Sequence, residues 1–381
     1  MRRTILLVAI SAAAAALTAG AYGAPKHKRG TLDTVAGRLA KMGHSGDGGP
    51  ARRAKLQNPF SAVRDSHGNT YIAELDGHTV RKVDSHGKIT TIAGTGKRGY
   101  SGDGGPAKHA KLNFPYAVAL DSHDNLYIGD SVNFRVRRVD ASTGTITTVA
   151  GTGKPAGPLR DDGDGGPATQ ARLQGAVSLA FDRDGSLYIG GGCSVRKVTA
   201  DGTISTIIGR DNQRESSTCG YAGDGGPAIK AQIGVVGQLA VDSTGNLYIS
   251  DGQHNRVRKI NPAEIISTFA GNGKRGASGN SRKATKARVG NPTGVAVDGK
   301  DNVYISTEGR VRKVNRRGLI SAAAGTGSNT RIGHNGDRAR RIGYWSPERL
   351  SIARNGDLLA AAPQWSRVWI IYRLAAPAHS P

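Results

Sequence analysis

Ile146-Thr-Thr-Val-Ala-Gly151 decides the fold, because versions of this phrase return five more times along the chain. They stand at Thr31–Gly37 (TLDTVAG), Ile89–Gly94 (ITTIAG), Ile204–Gly209 (ISTIIG), Ile266–Gly271 (ISTFAG) and Ile320–Gly325 (ISAAAG). Counted at the residue before the closing glycine, the intervals are 57, 57, 58, 62 and 54 residues. A β-branched run stopped by glycine reads as a short strand, and six copies at so long a period mean a solenoid or a propeller.

Working outward, each unit has the same internal order. An apolar segment ends in Asp, as in Tyr116–Asp121 (YAVALD), Val177–Asp182 (VSLAFD) and Thr293–Asp298 (TGVAVD). A turn leads to Leu126–Ile128, Leu187–Ile189, Leu247–Ile249 or Val303–Ile305, and then to Arg135–Val139 (RVRRV), Arg256–Ile260 (RVRKI) or Arg310–Val314 (RVRKV). Four strands per unit and six units predict an all-β, six-bladed propeller with four-stranded blades. The last unit has three strands, near Leu350–Ala353, Leu358–Ala360 and Val368–Tyr372, and no fourth. Thr31–Gly37 has no strands before it, so the N-terminal strand is expected to complete the C-terminal blade and seal the ring. In the third strand the apolar positions lie three apart, as at Val80 and Val83, which predicts a bulge or two residues serving different neighbours.

The run from Gly245 to Lys259 (GNLYISDGQHNRVRK) closely resembles NHL repeats. The Gly-Asp-Gly-Gly-Pro-Ala element at Gly46–Ala51, Gly102–Ala107, Gly163–Ala168 and Gly223–Ala228 is similar to that of bacterial secreted NHL proteins and of the teneurin NHL region. The resemblance implies a six-bladed propeller and leaves function open, since such proteins include protein and RNA binders, sensor heads, and a few metal-dependent lyases or lactonases.

Of 381 residues, 53 are Lys or Arg and 29 Asp or Glu, a formal net charge of +24, and 55 are Gly. Collagen is excluded by the lack of a strict Gly-X-Y period, and disorder by the recurring aliphatic clusters. Arg2 and Arg3, an apolar run from Ile5 to Leu17 and Ala21-Tyr22-Gly23 read as a signal peptide over residues 1–23, too short to span a bilayer. The expected organisation is that leader, a basic segment 24–30, the propeller over 31–373 and a flexible tail 374–381. The expected product is a secreted or periplasmic monomer with no transmembrane anchor after cleavage.

Antiparallel strands put the loops after second and fourth strands on one face and the others opposite. The six loops after the fourth strands carry 25 Lys and Arg against 9 Asp and Glu. Arg52, Arg53, Lys97, Arg98, Lys274, Arg275, Arg282, Lys283, Lys286, Arg288, Arg338, Arg340 and Arg341 therefore define an expected anion-binding face. The expected partners are an anionic polymer, an envelope surface or an acidic protein, and no intracellular nucleic acid. The opposite face holds acids such as Asp65, Asp121, Asp182, Asp242 and Asp298 at hairpin turns, where they bond their own backbone. Loop aromatics are few, mainly Tyr100, Tyr221, Tyr344 and Trp345, which poorly supplies base stacking.

Asp47, Asp103, Asp164, Asp224 and Asp337 recur in the loops, with Asn280 in the sixth. They are expected to build a turn or cap for a short helical turn; calcium is the alternative, densest at Asp161-Asp162-Gly163-Asp164. Glu74, His78, Asp130, Asp251 and His254 are weak candidates for a metal such as zinc, the acids having third-strand arginines such as Arg135 and Arg256 as alternative partners. No nucleophile motif is present. Cys193 and Cys219 lie in loops of one face and are expected to form a disulfide worth about 3 kcal/mol. The expected function is a non-catalytic binding or scaffold module acting through the basic face; the alternative is a metal-dependent lyase or lactonase at the same face.

Overall fold

A computed structural model describes residues 27–156, 163–209, 219–327, 333–343 and 347–375. The leader 1–23, Asp161, Asp162, Tyr344, Trp345 and residues 376–381 of the tail lie outside the described residues. Twenty-four strands form six antiparallel sheets of four. Blade one is Pro59–Arg64, Thr70–Glu74, Thr79–Val83 and Ile89–Ala93. Blades two to five repeat it, and their first strands touch one another around the ring axis.

The last sheet comprises Arg349–Ile352, Leu358–Ala362, Arg367–Ile371 and, on its outer edge, Leu32–Ala36. Leu32 pairs with Ile371 and Ala36 with Val368. The N-terminal strand thus closes the ring, as the unit order requires.

Six apolar clusters sit between neighbouring blades. Ala73, Val80 and Ala93 of blade one meet Val118, Ile128 and Ile146 of blade two, with Ala107, Ala110 and Leu112 from the connecting loop wedged between them. The Ala-x-x-Ala-x-Leu pattern of that loop is therefore a packing device. Pro106 precedes a single 3₁₀ turn, Ala107–His109, whose N-terminus receives no side-chain cap. Gly102 is required here: its φ is +90° and a Cβ would lie 2.7 Å from Ala110 Cα.

The same loop also covers each blade's outer edge. Gly48 N–H donates to Ile89 O at 2.8 Å, and Ile89 N–H to Gly49 O at 3.0 Å. Gly104, Gly105 and Ile146 repeat the pattern in blade two. Edges that would template foreign strands are occupied by the chain itself.

The irregularity expected on the third strand is a register shift between third and fourth strands. Val80 faces Ala93 while Arg81 faces Thr91, so the extra residue, Ile92, lies on the fourth strand. Blades two to five shift at the same place.

Because Leu32–Ala36 supplies a whole edge, deleting residues 24–37 is expected to destroy the single cooperative melting transition, whereas deleting 376–381 leaves it in place. Equal melting curves for the two truncations in differential scanning calorimetry would refute the closure.

Candidate functional site

The loop aspartates do not cap helices; they clamp buried arginines. Arg81, Arg137 and Arg258 are 0% exposed, and Arg196 is 7% exposed. Arg81 Nη2 donates to Asp47 at 2.5 Å, Arg137 Nη2 to Asp103 at 2.5 Å and Arg258 Nη2 to Asp224 at 2.6 Å. Arg196 pairs likewise with Asp164. The second carboxylate oxygen takes the backbone N–H of Thr91, Thr148 or Thr206, at 2.9–3.1 Å. One residue thus ties a loop to the third and fourth strands of a blade.

Burial opposes the charge of Asp103, but bonds from Thr148, Tyr100 and Arg137 outweigh it and hold the carboxyl below its usual pKa. Asp47 and Asp224 are lowered in the same way, against burial, by Thr91 with Arg81 and by Thr268 with Arg258 and Tyr221. Asp337 was aligned with these residues by sequence, but Asn335 holds the position: its Oδ1 accepts Thr34 N–H and Oγ–H at 2.9 Å.

Two of the strand-two acids, Glu74 and Asp130, pair with the inner arginines, not with Arg135 or Arg256. Glu74 accepts from Arg81 at 3.3 Å, from Thr79 at 3.0 Å and from Gln57 N–H at 2.9 Å, and its other close partner is His44 Nδ1 at 2.8 Å. Asp130 accepts from Asn113 N–H at 2.7 Å, Asn133 at 2.8 Å and Arg137 at 3.4 Å. Asp251 pairs with His254 Nδ1 at 2.8 Å. His78 accepts the Phe114 N–H at 3.2 Å, and burial lowers its pKa, with the Arg98 charge adding to the effect and Asp76 opposing it. The five candidate ligands are distributed over blades one, two and four. Among the described residues no group of three or more His, Cys, Asp and Glu side chains is placed to hold a metal ion.

Arg135 and Arg256 lie on Tyr100 and Tyr221, with guanidinium carbons 3.7 and 4.0 Å from the ring centroids. These two loop aromatics are occupied by stacking within the fold. Arg52, Arg53, Lys97, Arg98, Lys274, Arg275, Arg282, Lys283, Arg338, Arg340 and Arg341 are all exposed. Arg52 approaches Asp33 at 3.7 Å and Arg275 meets Glu308 at 2.8 Å. Four of the loop acids are already matched by buried arginines, so they offset none of this exposed charge.

On the opposite side, Asp65 accepts His67 N–H at 3.0 Å and Asn69 N–H at 2.8 Å, and Asp121 and Asp242 behave alike, as turn chemistry requires. Cys193 and Cys219 form a disulfide, Cα–Cα 5.3 Å, tying the strand-two turn of blade three to the loop that follows its fourth strand.

Sequence reasoning missed the axis. Arg349, 7% exposed, donates from blade six to Thr293 O at 3.3 Å and across the ring to Val177 O at 3.4 Å. Gln238 of blade four bonds Leu350 O at 2.6 Å and accepts from Leu350 and Val295 N–H. Neither residue lies in a repeated motif, so no periodic signal marks it.

Six four-stranded blades, four of them clamped by a Gly-Asp-Gly-Gly-Pro-Ala loop, define a six-bladed β-propeller. The sequence profile described as the Teneurin NHL domain matches residues 38–99 and 140–219. Teneurin-1 of Gallus gallus is 30% identical over 249 residues, 59% of this chain and 9% of that protein. The chain carries an NHL-repeat, teneurin-like six-bladed propeller domain, and it spans less than a tenth of the curated relative's length. A crystal structure of an auxiliary nutrient binding protein from Bacteroides thetaiotaomicron shares the fold at a TM-score of 0.62 and 13% identity, covering 91% of this chain and 76% of that one. A streptogramin B lyase aligns at 0.48 and 11% identity, over 89% and 96% of the two chains.

Two measurements test the clamp. Arg137→Ala, which strands Asp130 in the interior, is expected to cost about 3–5 kcal/mol in urea unfolding. Burial raises the pKa of Asp130 from 3.8 to about 6, with Asn133, Asn113 and Arg137 only partly compensating. The folded state then holds this proton more tightly than the unfolded chain. Between roughly pH 4 and 6 Asp130 should therefore lower stability as pH rises, by up to about 3 kcal/mol. The lowered carboxyls Asp47, Asp103 and Asp224 act oppositely and lose their contribution only below about pH 4. Asp130→Asn should flatten the pH 4–6 decline; an unchanged profile would show that Asp130 is not its source.

Proposed function

We propose that this propeller is a non-catalytic binding or scaffold module that docks an anionic polymer or an acidic protein on the face carrying the loops after the second and fourth strands. The observation that carries the reading is the exposure of all eleven lysines and arginines named above, of which Arg52, Arg53, Lys97 and Arg98 lie on loops whose aspartates, Asp47 and Asp103, are engaged internally. Excess positive charge of this kind accelerates encounter and fixes orientation, and its effect is screened over about 8–10 Å of salt solution. We place the protein outside the cytoplasm, in secreted or periplasmic form, because the Cys193–Cys219 disulfide fits an oxidising compartment. No helix among the described residues is long and apolar enough to cross a membrane.

Retention on immobilised polyglutamate and polyphosphate, read as the salt needed for elution, tests the face. Lys97→Glu, Arg98→Glu, Arg340→Glu and Arg341→Glu together should markedly lower that salt. Arg183→Glu, Lys300→Glu and Arg354→Glu, exposed on the turns between first and second strands, should change it little. Equal losses in the two variants would reduce the effect to net charge and remove the docking face.

A further inference from the structure

Blade five departs from its sisters at the clamp. Aligned on the buried alanine, Gly46-Asp-Gly-Gly-Pro-Ala51 corresponds to Gly279-Asn-Ser-Arg-Lys-Ala284. The aspartate has become Asn280, and the positions of Gly49 and Pro50 have become Arg282 and Lys283. On the fourth strand, Ala322 stands where Thr91, Thr148, Thr206 and Thr268 stand. The element has lost one acid, one hydroxyl and gained two cations.

The arginine beneath is kept. Arg312 is 0% exposed, as Arg81, Arg137 and Arg258 are. Its Nη1 donates to Arg288 O at 3.2 Å and its Nη2 to Ser278 O at 3.4 Å, the carbonyl contacts that Arg258 makes with Gln232 O and Ala222 O. What Arg258 adds is a pair of bonds to Asp224 Oδ1, from Nε at 3.1 Å and Nη2 at 2.6 Å. Arg137 adds the same pair to Asp103. In blade five, among the described residues, no carboxylate pairs with Arg312; its buried Nε lacks an acceptor, as do those of Arg81 and Arg196, which nevertheless hold a carboxylate through Nη2.

Burial, reinforced by the Arg310 charge, lowers the pKa of Arg312 to about 10, the direction taken by a guanidinium without a counter-ion. The position opposite the arginine can be reached from solvent, because the sister carboxylates there are 19–46% exposed at the side chain.

We propose that blade five binds a carboxylate group from outside the fold, held by Arg312 where the loop aspartate is held in blades one to four, with Arg282 and Lys283 at its rim. A carboxylate suits the guanidinium, which in blades two and four donates through Nε and Nη2 to one carboxylate oxygen. The site is a discrete contact within the proposed basic docking face and rests on that reading for its partner, an acidic side chain or uronate, but not for its chemistry.

Asn280→Asp is the decisive variant, since it installs the residue that four sister blades carry and fills the position from within. The probe is sodium acetate, replacing chloride at constant ionic strength. In protein labelled with ¹⁵N-arginine, acetate should shift the Arg312 Nε–H resonance saturably in the wild type and leave it in place in Asn280→Asp. Saturating acetate should raise the wild-type melting temperature by about 1–2 °C and that of the variant by none. The variant should itself melt above the wild type in chloride. Acetate acting equally on both proteins, or no movement of the Arg312 resonance in the wild type, would overturn the proposal. Polyglutamate retention separates this from the wider reading. If the site fails alone, Lys97, Arg98, Arg340 and Arg341 still govern retention; if the face fails alone, acetate still moves Arg312.

Discussion

A buried guanidinium brings a charge and five N–H donors into the protein interior, and much of this fold is arranged to answer them. Arg81 illustrates the requirement. It stands at the centre of the third strand with no exposed surface, and its acceptors are Glu74 on the strand beside it, Ser45 O and Asp47 on the incoming loop. Breaking one partner would leave a charge uncompensated in low dielectric, where the penalty is several kcal/mol. The loop that supplies Asp47 must therefore lie flat against the blade. Glycines at positive φ, such as Gly46 and Gly48, and the Ala51–Ala54–Leu56 wedge let it do so. Once there, it also occupies the outer edge of the sheet.

The fourth-strand bulge belongs to the same arrangement. At the register shift, Thr91 presents its N–H to Asp47 at 3.0 Å. A β-bulge re-aims backbone and side chains locally, and here it allows one carboxylate to bridge strand three and strand four. Edge protection, loop attachment and satisfaction of the buried charge are achieved by one residue in each of four blades.

The fold was legible because its strands are encoded within six-residue phrases, and the six copies gave both blade number and the strand order that forces closure. The clamp was not, because Arg137 and Asp103 are 34 residues apart and share no local periodicity. Strand alternation sends Arg81 inward while Lys82 remains partly exposed. A usable signal existed. The inner position is arginine in blades one to five, whereas the next is Lys82, Arg138, Lys197, Lys259 or Lys313. A demand for several hydrogen bonds from one buried cation favours arginine at the inner position, whereas the outer one accepts either cation. Asp337 was aligned in place of Asn335 because His334-Asn-Gly-Asp-Arg338 lacks the Gly-Gly-Pro that marks the frame elsewhere. For the five metal candidates, a sequence can show that acids recur on strand two; it cannot show that Glu74 and Asp130 are held by buried arginines, Asp251 by His254, and His78 by the Phe114 N–H ahead of the next blade.

This division changes the meaning of the charge. Most acids of the chain with a described partner serve turns or clamps, so they leave much of the exposed loop charge unmatched. Repetition in a propeller identifies what the architecture needs, since the same physical problem is solved once per blade. Blade six solves it without the ion pair: Trp369 replaces the arginine, and Asn335 retains only the bond to the fourth strand. Both halves of the pair changed together, so neither partner is left without the other at that position. Blade five changed one half. A fold can carry an unmatched buried guanidinium only by giving up stability, and proteins depart from their own local rules chiefly where a site requires it. The asymmetry between these two blades, one compensated and one not, is therefore the feature that separates scaffold from site in this ring.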